Sequence, residues 1–320
     1  MRASAILVLV TVPGCWAQAV ISAHSGMVNF VQGEVKLADR PVKLDGAIFP
    51  DVKLGQTLST KSGRAEILLT PGVFLRLDKD SSFRIMSNKL ADTQVEILSG
   101  SALVEANEIL KDNHITVKVC GSETLLLKTG LYHFNADAGQ VRTFAGKAQV
   151  SGASSSVPTQ LKGGRTLLVG SSLLPQKFDK NKSKDELLAW SEQRDVRLGL
   201  ANMSLARSLD SSGFSTSMWA WDPWMGTYTF LPRSGYTYNP YGIAWYSPGS
   251  VWIASAPGNG LSSGGYAPQN PSPSSAGSSG SSSSVPSRPN SPTVVQSGSM
   301  GTPSSSIPSG AVARSSAPGR

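Results

Sequence analysis

Residues 64–85 read RAEILLTPGVFLRLDKDSSFRI. Two runs in which apolar and polar positions alternate flank Pro71-Gly72, and a polar corner, Asp78-Lys79-Asp80-Ser81-Ser82, follows. Leu75 and Leu77 share one face of the second run, and Phe83 and Ile85 share one face beyond the corner. Period-two alternation marks strands with one buried and one wet side. The same cadence runs from about residue 26 to 170, through Val95 and Ile97, then Ile115, Val117 and Val119, then Leu125 and Leu127. Tyr132 with Phe134 and Ala148 with Val150 extend it. Gly55, Gly63, Gly72, Gly100, Gly121, Gly130, Gly139 and Gly146 punctuate it, at the turn spacing of an all-β sandwich, barrel or solenoid. The expectation is an all-β fold: a multi-strand sandwich or short β-solenoid-like domain over residues 26–175, long enough to bury its own core.

The polar corner raises the question of a metal. An EF-hand loop needs glycine at its sixth position and a closing glutamate at its twelfth. Phe83 and Lys89 stand there instead, and Lys79 would repel a cation. The corner reads as a turn whose Asp and Ser side chains bond nearby amides. The three histidines, His24, His114 and His133, form no H-E-x-x-H, and no C-x-x-C, G-x-S-x-G, Walker or G-x-G-x-x-G pattern occurs. His133, between Tyr132 and Phe134, is expected to face out of its strand. Gly163-Gly164-Arg165 precedes a strand, so it lacks the helix dipole that a phosphate loop uses. These patterns predict no catalytic residues, no cofactor and no metal site.

At the N-terminus, Arg2, an apolar run over residues 3–12 and Ala17-Gln18-Ala19 have the layout of a secretory signal peptide, residues 1–19. The run is too short to span a bilayer. Val12-Pro13-Gly14-Cys15 offers a rival reading as a lipoprotein box. Pro13 fits that box poorly, so a periplasmic or secreted chain cleaved after Ala19 is expected ahead of lipidation at Cys15. No later stretch has about eighteen uninterrupted apolar residues, so no transmembrane span is expected in the mature chain. Cys120 is then alone, a small residue at a strand end. Of the formal charge of +8, part lies in Arg2 and in Arg288, Arg314 and Arg320, and the rest is mixed with acids. That spread argues against a nucleic-acid partner.

Beyond the strands, Ser183-Lys184-Asp185-Glu186 reads as a capping box. Leu187, Trp190, Leu198, Ala201 and Leu205 recur at helical spacing, with Arg194 on the stripe. The helix is expected over about residues 184–208, within a unit at 183–209, although Gly199 weakens it. Glu192, Arg194, Asp195 and Arg197 are assigned to its solvated side. Residues 213–256 form a Trp/Pro-rich segment. The stretch 219–252 alone holds five of the seven tryptophans and five of the seven tyrosines. Pro223, Pro232, Pro240 and Pro248 leave room for short extended pieces joined by turns, so an irregular segment packed on the domain is expected. Trp219, Trp221, Trp224, Tyr228 and Trp245 are its candidate binding surface, since flat rings stack on sugars or peptides. The competing reading makes them a satellite core. Residues 257–320 are Ser, Gly and Pro, a composition expected of a disordered tail.

A family likeness rests on Leu54-Gly55-Gln56-Thr57-Leu58-Ser59-Thr60, Gly63-Arg64-Ala65-Glu66-Ile67-Leu68-Leu69 and Pro71-Gly72-Val73-Phe74-Leu75-Arg76-Leu77. Ser82-Phe83-Arg84-Ile85 and Val95-Glu96-Ile97-Leu98-Ser99-Gly100 continue it. Over about residues 33–150 the chain resembles the FecR domain, the periplasmic domain of bacterial iron-dicitrate sensor-regulators. The helix with Trp190, Arg194 and Asp195, followed by Trp219-Ala220-Trp221-Asp222-Pro223, is similar to the ends of exported FecR-domain proteins. The resemblance implies an all-β domain used for protein contact, with no catalytic residues to carry over. The anti-sigma and transmembrane parts of the regulators have no counterpart in the sequence, so signalling to a sigma factor is not carried over. The expectation is an exported, non-catalytic envelope protein whose partner is another envelope protein. The alternative is a module that binds cell-wall glycan through its Trp/Tyr-rich segment.

Overall fold

A computed structural model describes residues 25–45, 49–152, 157–170, 173–212 and 214–251. The signal-peptide, lipidation and tail assignments fall on residues outside these. Among the described residues no helix is long and apolar enough to cross a membrane.

The chain lays its strands alternately on two sheets. It begins on the first sheet with β1 (Met27–Gln32) and crosses to the second for β2 (Val35–Leu37), β3 (Arg40–Pro41) and β4 (Thr57–Thr60). β5 (Arg64–Leu68) and β6 (Val73–Leu77) return to the first sheet, and β7 (Ser82–Lys89) and β8 (Asp92–Ser99) go to the second. β9 (Ser101–Ala106) lies on the first, and β10 (His114–Val119) and β11 (Ser122–Leu126) on the second. β12 (Gly130–Asn135) and β13 (Gln140–Ala145), β14 (Lys147–Ser151) and β15 (Thr159–Lys162), and β16 (Arg165–Leu168) and β17 (Gln176–Lys177) repeat the step. The outcome is an eight-stranded sheet facing a nine-stranded one, a β-sandwich as expected. Neighbours are antiparallel except β8 and β10, which are parallel because the chain visits β9 on the other sheet between them.

The opening stretch shows how the alternation is used. Ala65, Ile67, Val73, Leu75 and Leu77 point between the sheets, where Phe83, Ile85, Val95 and Ile97 meet them. The corner at residues 78–82 is a turn: Asp80 takes φ 50°, and the Ser81 hydroxyl donates to Lys79 O at 2.9 Å and accepts from Ser101 N at 2.9 Å. One strand departs from its expected register. Leu126, not Leu125 or Leu127, enters the core, beside Thr124 and Ser122. The cause is the two-residue turn Cys120-Gly121, with φ of 48° and 75°. Such a turn fixes which residues face each other, and here it sets Thr124 opposite Val117.

The first sheet is covered on its second face as well. Helix α1 (Glu186–Ser208) crosses it, and Leu187, Leu188 and Trp190 pack on Leu103, Leu131 and Phe144. Its N-cap is Asp185 rather than Ser183: the Asp185 carboxylate accepts from Leu188 N at 2.9 Å. Glu186 is thereby released to pair with Arg64 and Lys79, both at 2.9 Å, which ties the helix start to the corner after β6. His133 leaves the sandwich core as expected, yet the helix start covers it. It is 2% exposed and stands 3.3 Å from Asp185.

The Trp/Pro-rich segment is more regular than expected. β18 (Met218–Asp222) pairs with β19 (Thr227–Leu231), and β20 (Tyr236–Tyr238) with β21 (Ala244–Tyr246). Pro223, Pro232 and Pro240 fall between strands and Pro248 follows β21, so no ladder donor is lost.

Gly72 sits where two layers meet. Its φ is 83°, and a Cβ there would stand 3.0 Å from the Phe230 ring and 3.2 Å from Glu108 Cβ. Gly72→Ala is expected to cost about 1–3 kcal/mol through backbone strain, read as a lower denaturation midpoint at unchanged slope.

Candidate functional site

Among the outward residues of β5, β6 and β9 are Glu66, Arg76 and Glu105, each 0% exposed. Alternation alone would put them in water. Helix α1 instead lowers Ser191, Arg194 and Asp195 onto them. Arg194 and Asp195, expected on the solvated side of the helix, are therefore buried, whereas Glu192 and Arg197 are exposed. The Arg76 guanidinium donates from Nε to Glu66 at 2.9 Å and from Nη1 to Glu105 at 2.5 Å. It also donates to Ser191 and Asp195. Arg194 donates to Glu66 at 2.8 Å and lies 4.0 Å over the Phe30 ring. This is a closed layer of ion pairs, with its donors turned inward to protein acceptors.

The protonation states follow from that layer. Burial pushes the Glu66 carboxyl up, but Arg194 and Arg76 outweigh it and hold it at about 2. Burial pushes Asp195 up as well; Arg76 draws it back, while Glu105 drives it higher, and it ends well above the usual carboxylate range. Arg76 thus meets carboxyl groups on Glu66, Glu105 and Asp195, and burial disfavours the charged form of Asp195.

Three asparagines extend the layer to the hairpins. Asn29 is the residue without a partner at the bulge of β1, between Val28 and Phe30. It donates to Tyr228 O at 3.0 Å and accepts from Tyr228 N at 2.9 Å, as a strand neighbour would. Asn202 of α1 donates to Phe230 O and Tyr246 O and accepts from Tyr246 N, all at 2.8–2.9 Å. Asn239 donates to Asp195 at 3.0 Å and accepts from the amides of Tyr241 and Ile243. A buried amide that satisfies backbone on a second element fixes position as well as energy.

The candidate aromatic residues divide sharply. Trp219, Tyr228 and Trp245 are 8%, 7% and 0% exposed and pack with Leu68, Phe74, Leu198 and Phe230. Trp221 is half-buried, with its ring 5.1 Å from Phe49. Trp224 is 91% exposed at the tip of the β18–β19 hairpin, beside Met225 at 43%. The tip is built by Asp222, whose carboxylate accepts from the amides of Trp224 at 2.8 Å and Met225 at 3.1 Å. Gly226 completes the turn at φ 59°. The structure thus places one of the five rings fully in solvent and three in the core.

The free face of the nine-stranded sheet is polar. Arg84 pairs with Glu96 at 2.7 Å and Lys118 with Glu123 at 2.7 Å. A groove of about 310 Å³ on that face is lined by Asp92, His114, Thr116, Glu123, Leu125, Gln149 and Ser151. Among the described residues no group of three or more His, Cys, Asp or Glu is placed to hold a metal ion. Cys120 is exposed, with Sγ 3.1 Å from Ala136 O.

Sequence reading missed the ion layer. Its trace was there: opposite charges at Glu66, Arg76 and Glu105 on adjoining strands, and Arg194 on an otherwise apolar stripe.

No protein-family model matches the chain, and no curated protein does. Two solved structures, each described as a "putative anti-sigma factor" from Parabacteroides distasonis, are similar over part of it. They share 17% and 16% identity, with 42% of this chain and 64% of theirs covered, at TM-scores of 0.35 and 0.34. The chain thus spans less than two thirds of the length of either.

Glu66→Gln takes the carboxylate from buried Arg194 and one of three from buried Arg76, and is expected to cost about 3–5 kcal/mol. Glu66 has a depressed pKa, so its stabilisation is full above 4.5 and is lost as pH falls toward about 2. Asp195 has a raised pKa, so its contribution is full below 3.8 and declines as pH rises through the folded-state value. Asp195→Asn keeps the neutral form, so it is expected to cost less than Glu66→Gln and to flatten the decline toward high pH. Urea titrations across pH read both.

Proposed function

We propose that this protein is an exported, non-catalytic β scaffold of the bacterial cell envelope that grips another protein through the β18–β19 hairpin tip. The leader-like N-terminus supports export, and the FecR-like motifs support a role in protein contact. The observation that carries the reading is Trp224. An indole 91% in water, on a turn already fixed by the buried Asp222 carboxylate, is an unused apolar anchor. The hairpin beneath it is immobilised by Asn29 and by the packing of Trp219 and Phe230. A rigid anchor loses little freedom on binding, and buried Trp side chains dominate protein interfaces.

The same ring could stack on a sugar, but the chemistry around it favours protein. Pro223-Trp224-Met225-Gly226 offers no polar side chain to meet sugar hydroxyls, and a glycan site needs such groups beside its platform. Trp219 and Trp245, which would extend the platform, are already packed.

Trp224→Ala is expected to keep its melting temperature within about 2 °C, because surface truncations rarely move stability. It is expected to lose the envelope protein that the wild-type chain retains on an affinity column. Retention on isolated cell-wall polysaccharide is expected to be the same for both. Polysaccharide retention that depends on Trp224 would give the glycan reading, and unchanged protein capture by the variant would remove the hairpin from the interface.

A further inference from the structure

Helix α1 buries one stripe and turns the opposite one to water. The buried stripe, with Leu187, Arg194, Asp195, Leu198 and Asn202, faces the eight-stranded sheet and the hairpins. At about 100° of rotation per residue, the positions on the far side are Ala189, Gln193, Val196, Leu200 and Met203. They are separated by alternating steps of four and three residues, the spacing of a coiled-coil seam. The outer face of a helix already packed on a sheet is ordinarily polar. Here Val196 and Leu200, one turn apart, are 50% and 54% exposed, and Met203 beyond them is half-buried. The Arg76–Asp195 and Arg194–Glu66 pairs hold the helix from beneath, so this seam is presented on a rigid element.

The flanks of the seam say what covers it. With Gln193 and Leu200 at a positions and Val196 and Met203 at d positions, Glu192 is a g residue and Arg197 the e residue of the next heptad. Across a parallel two-stranded seam, a g side chain on one helix meets the following e side chain on the other. A second copy, related by a two-fold axis running along α1, therefore sets Glu192 of each copy against Arg197 of the other. Both residues are exposed, and among the described residues neither has an ion-pair partner in its own chain. They cannot satisfy each other within one helix, where side chains three or four apart are neighbours. Gln193 meets its own copy at an a position, and a polar pair there fixes register at some cost in affinity. The seam ends at Met203, because the next a position is Arg207, which would face itself. We propose that the outer face of α1 is a self-association surface: two copies pair these helices in parallel through Val196, Leu200 and Met203, clamped by reciprocal Glu192–Arg197 pairs. The contact runs for about three turns, or ~15 Å, so it is small and the dimer is weak, with a dissociation constant on the order of 10–100 μM. It is separate from the Trp224 tip, which lies on the β18–β19 hairpin.

Sedimentation velocity of the full chain over a concentration series is the test. The wild-type chain is expected to move from monomer toward dimer as concentration rises. Val196→Glu/Leu200→Glu is expected to stay monomeric at an unchanged melting temperature, because both side chains are already half in solvent. Arg197→Glu sets acid against acid twice in the pair and is expected to weaken association about tenfold. Glu192→Arg/Arg197→Glu restores opposite charges across the seam and is expected to return within about threefold of wild type. Trp224→Ala is expected to dimerise as the wild-type chain does. A wild-type chain that stays monomeric up to about 1 mM overturns the proposal. A dimer indifferent to Val196 and Leu200, or one lost in Trp224→Ala, overturns it as well. A double charge reversal no better than Arg197→Glu alone overturns the parallel pairing.

Discussion

Arg76 sits at 0% exposure with Glu66, Glu105, Ser191 and Asp195 around its guanidinium. Those partners come from two neighbouring strands and the helix, so the outer layer of the protein is referred to one side chain. Removing a charge from water costs several kcal/mol, and the cost is met only while every partner is in place. A helix shifted by one turn would take Ser191 and Asp195 away from Arg76 and Arg194 away from Glu66. The ion layer therefore sets the register of α1 on the sheet, which an apolar seam of leucines alone would specify less sharply. Arg194, pinned between Glu66 and the Phe30 ring, adds a second fixed point on the same helix.

Once α1 is placed, the hairpins follow. Asn202 binds backbone of both β19 and β21, and Asn239 joins Asp195 to the β20–β21 connection. Gly199 allows the close approach, because a Cβ there would stand 2.7 Å from the Ile243 methyl. Asn29, exposed to this layer by the bulge in β1, holds the β18–β19 hairpin. Most of the aromatic wealth of the segment is spent in burying these contacts. What remains outside is small: the Trp224 tip and the Tyr236–Tyr238 pair.

The two faces of the sandwich have been put to different uses. The nine-stranded sheet keeps one side in water with paired charges such as Arg84–Glu96. The eight-stranded sheet is roofed by α1 and the hairpins that follow it, so its central strands β6, β9 and β12 are buried along almost their whole length.

The amino-acid sequence was sufficient for an all-β domain, sandwich or short solenoid, because alternation and glycine corners are local signals tied to a backbone period of two; the pairing of strands into two facing sheets decided for the sandwich. Leu75, Leu77, Phe83 and Ile85 are inside as that period requires, and the prolines of the aromatic segment fall outside its strands. It failed at β11, where a two-residue turn, not the apolar pattern, sets the register. It failed also at Arg194, Asp195 and His133, which look solvated along the chain and are buried in space. Which of two equally alternating sheets receives a roof is decided by contacts between residues more than a hundred positions apart, such as Arg76 and Asp195. No local period encodes that choice, so the ion layer and the division of rings between core and surface were decided by the tertiary structure alone.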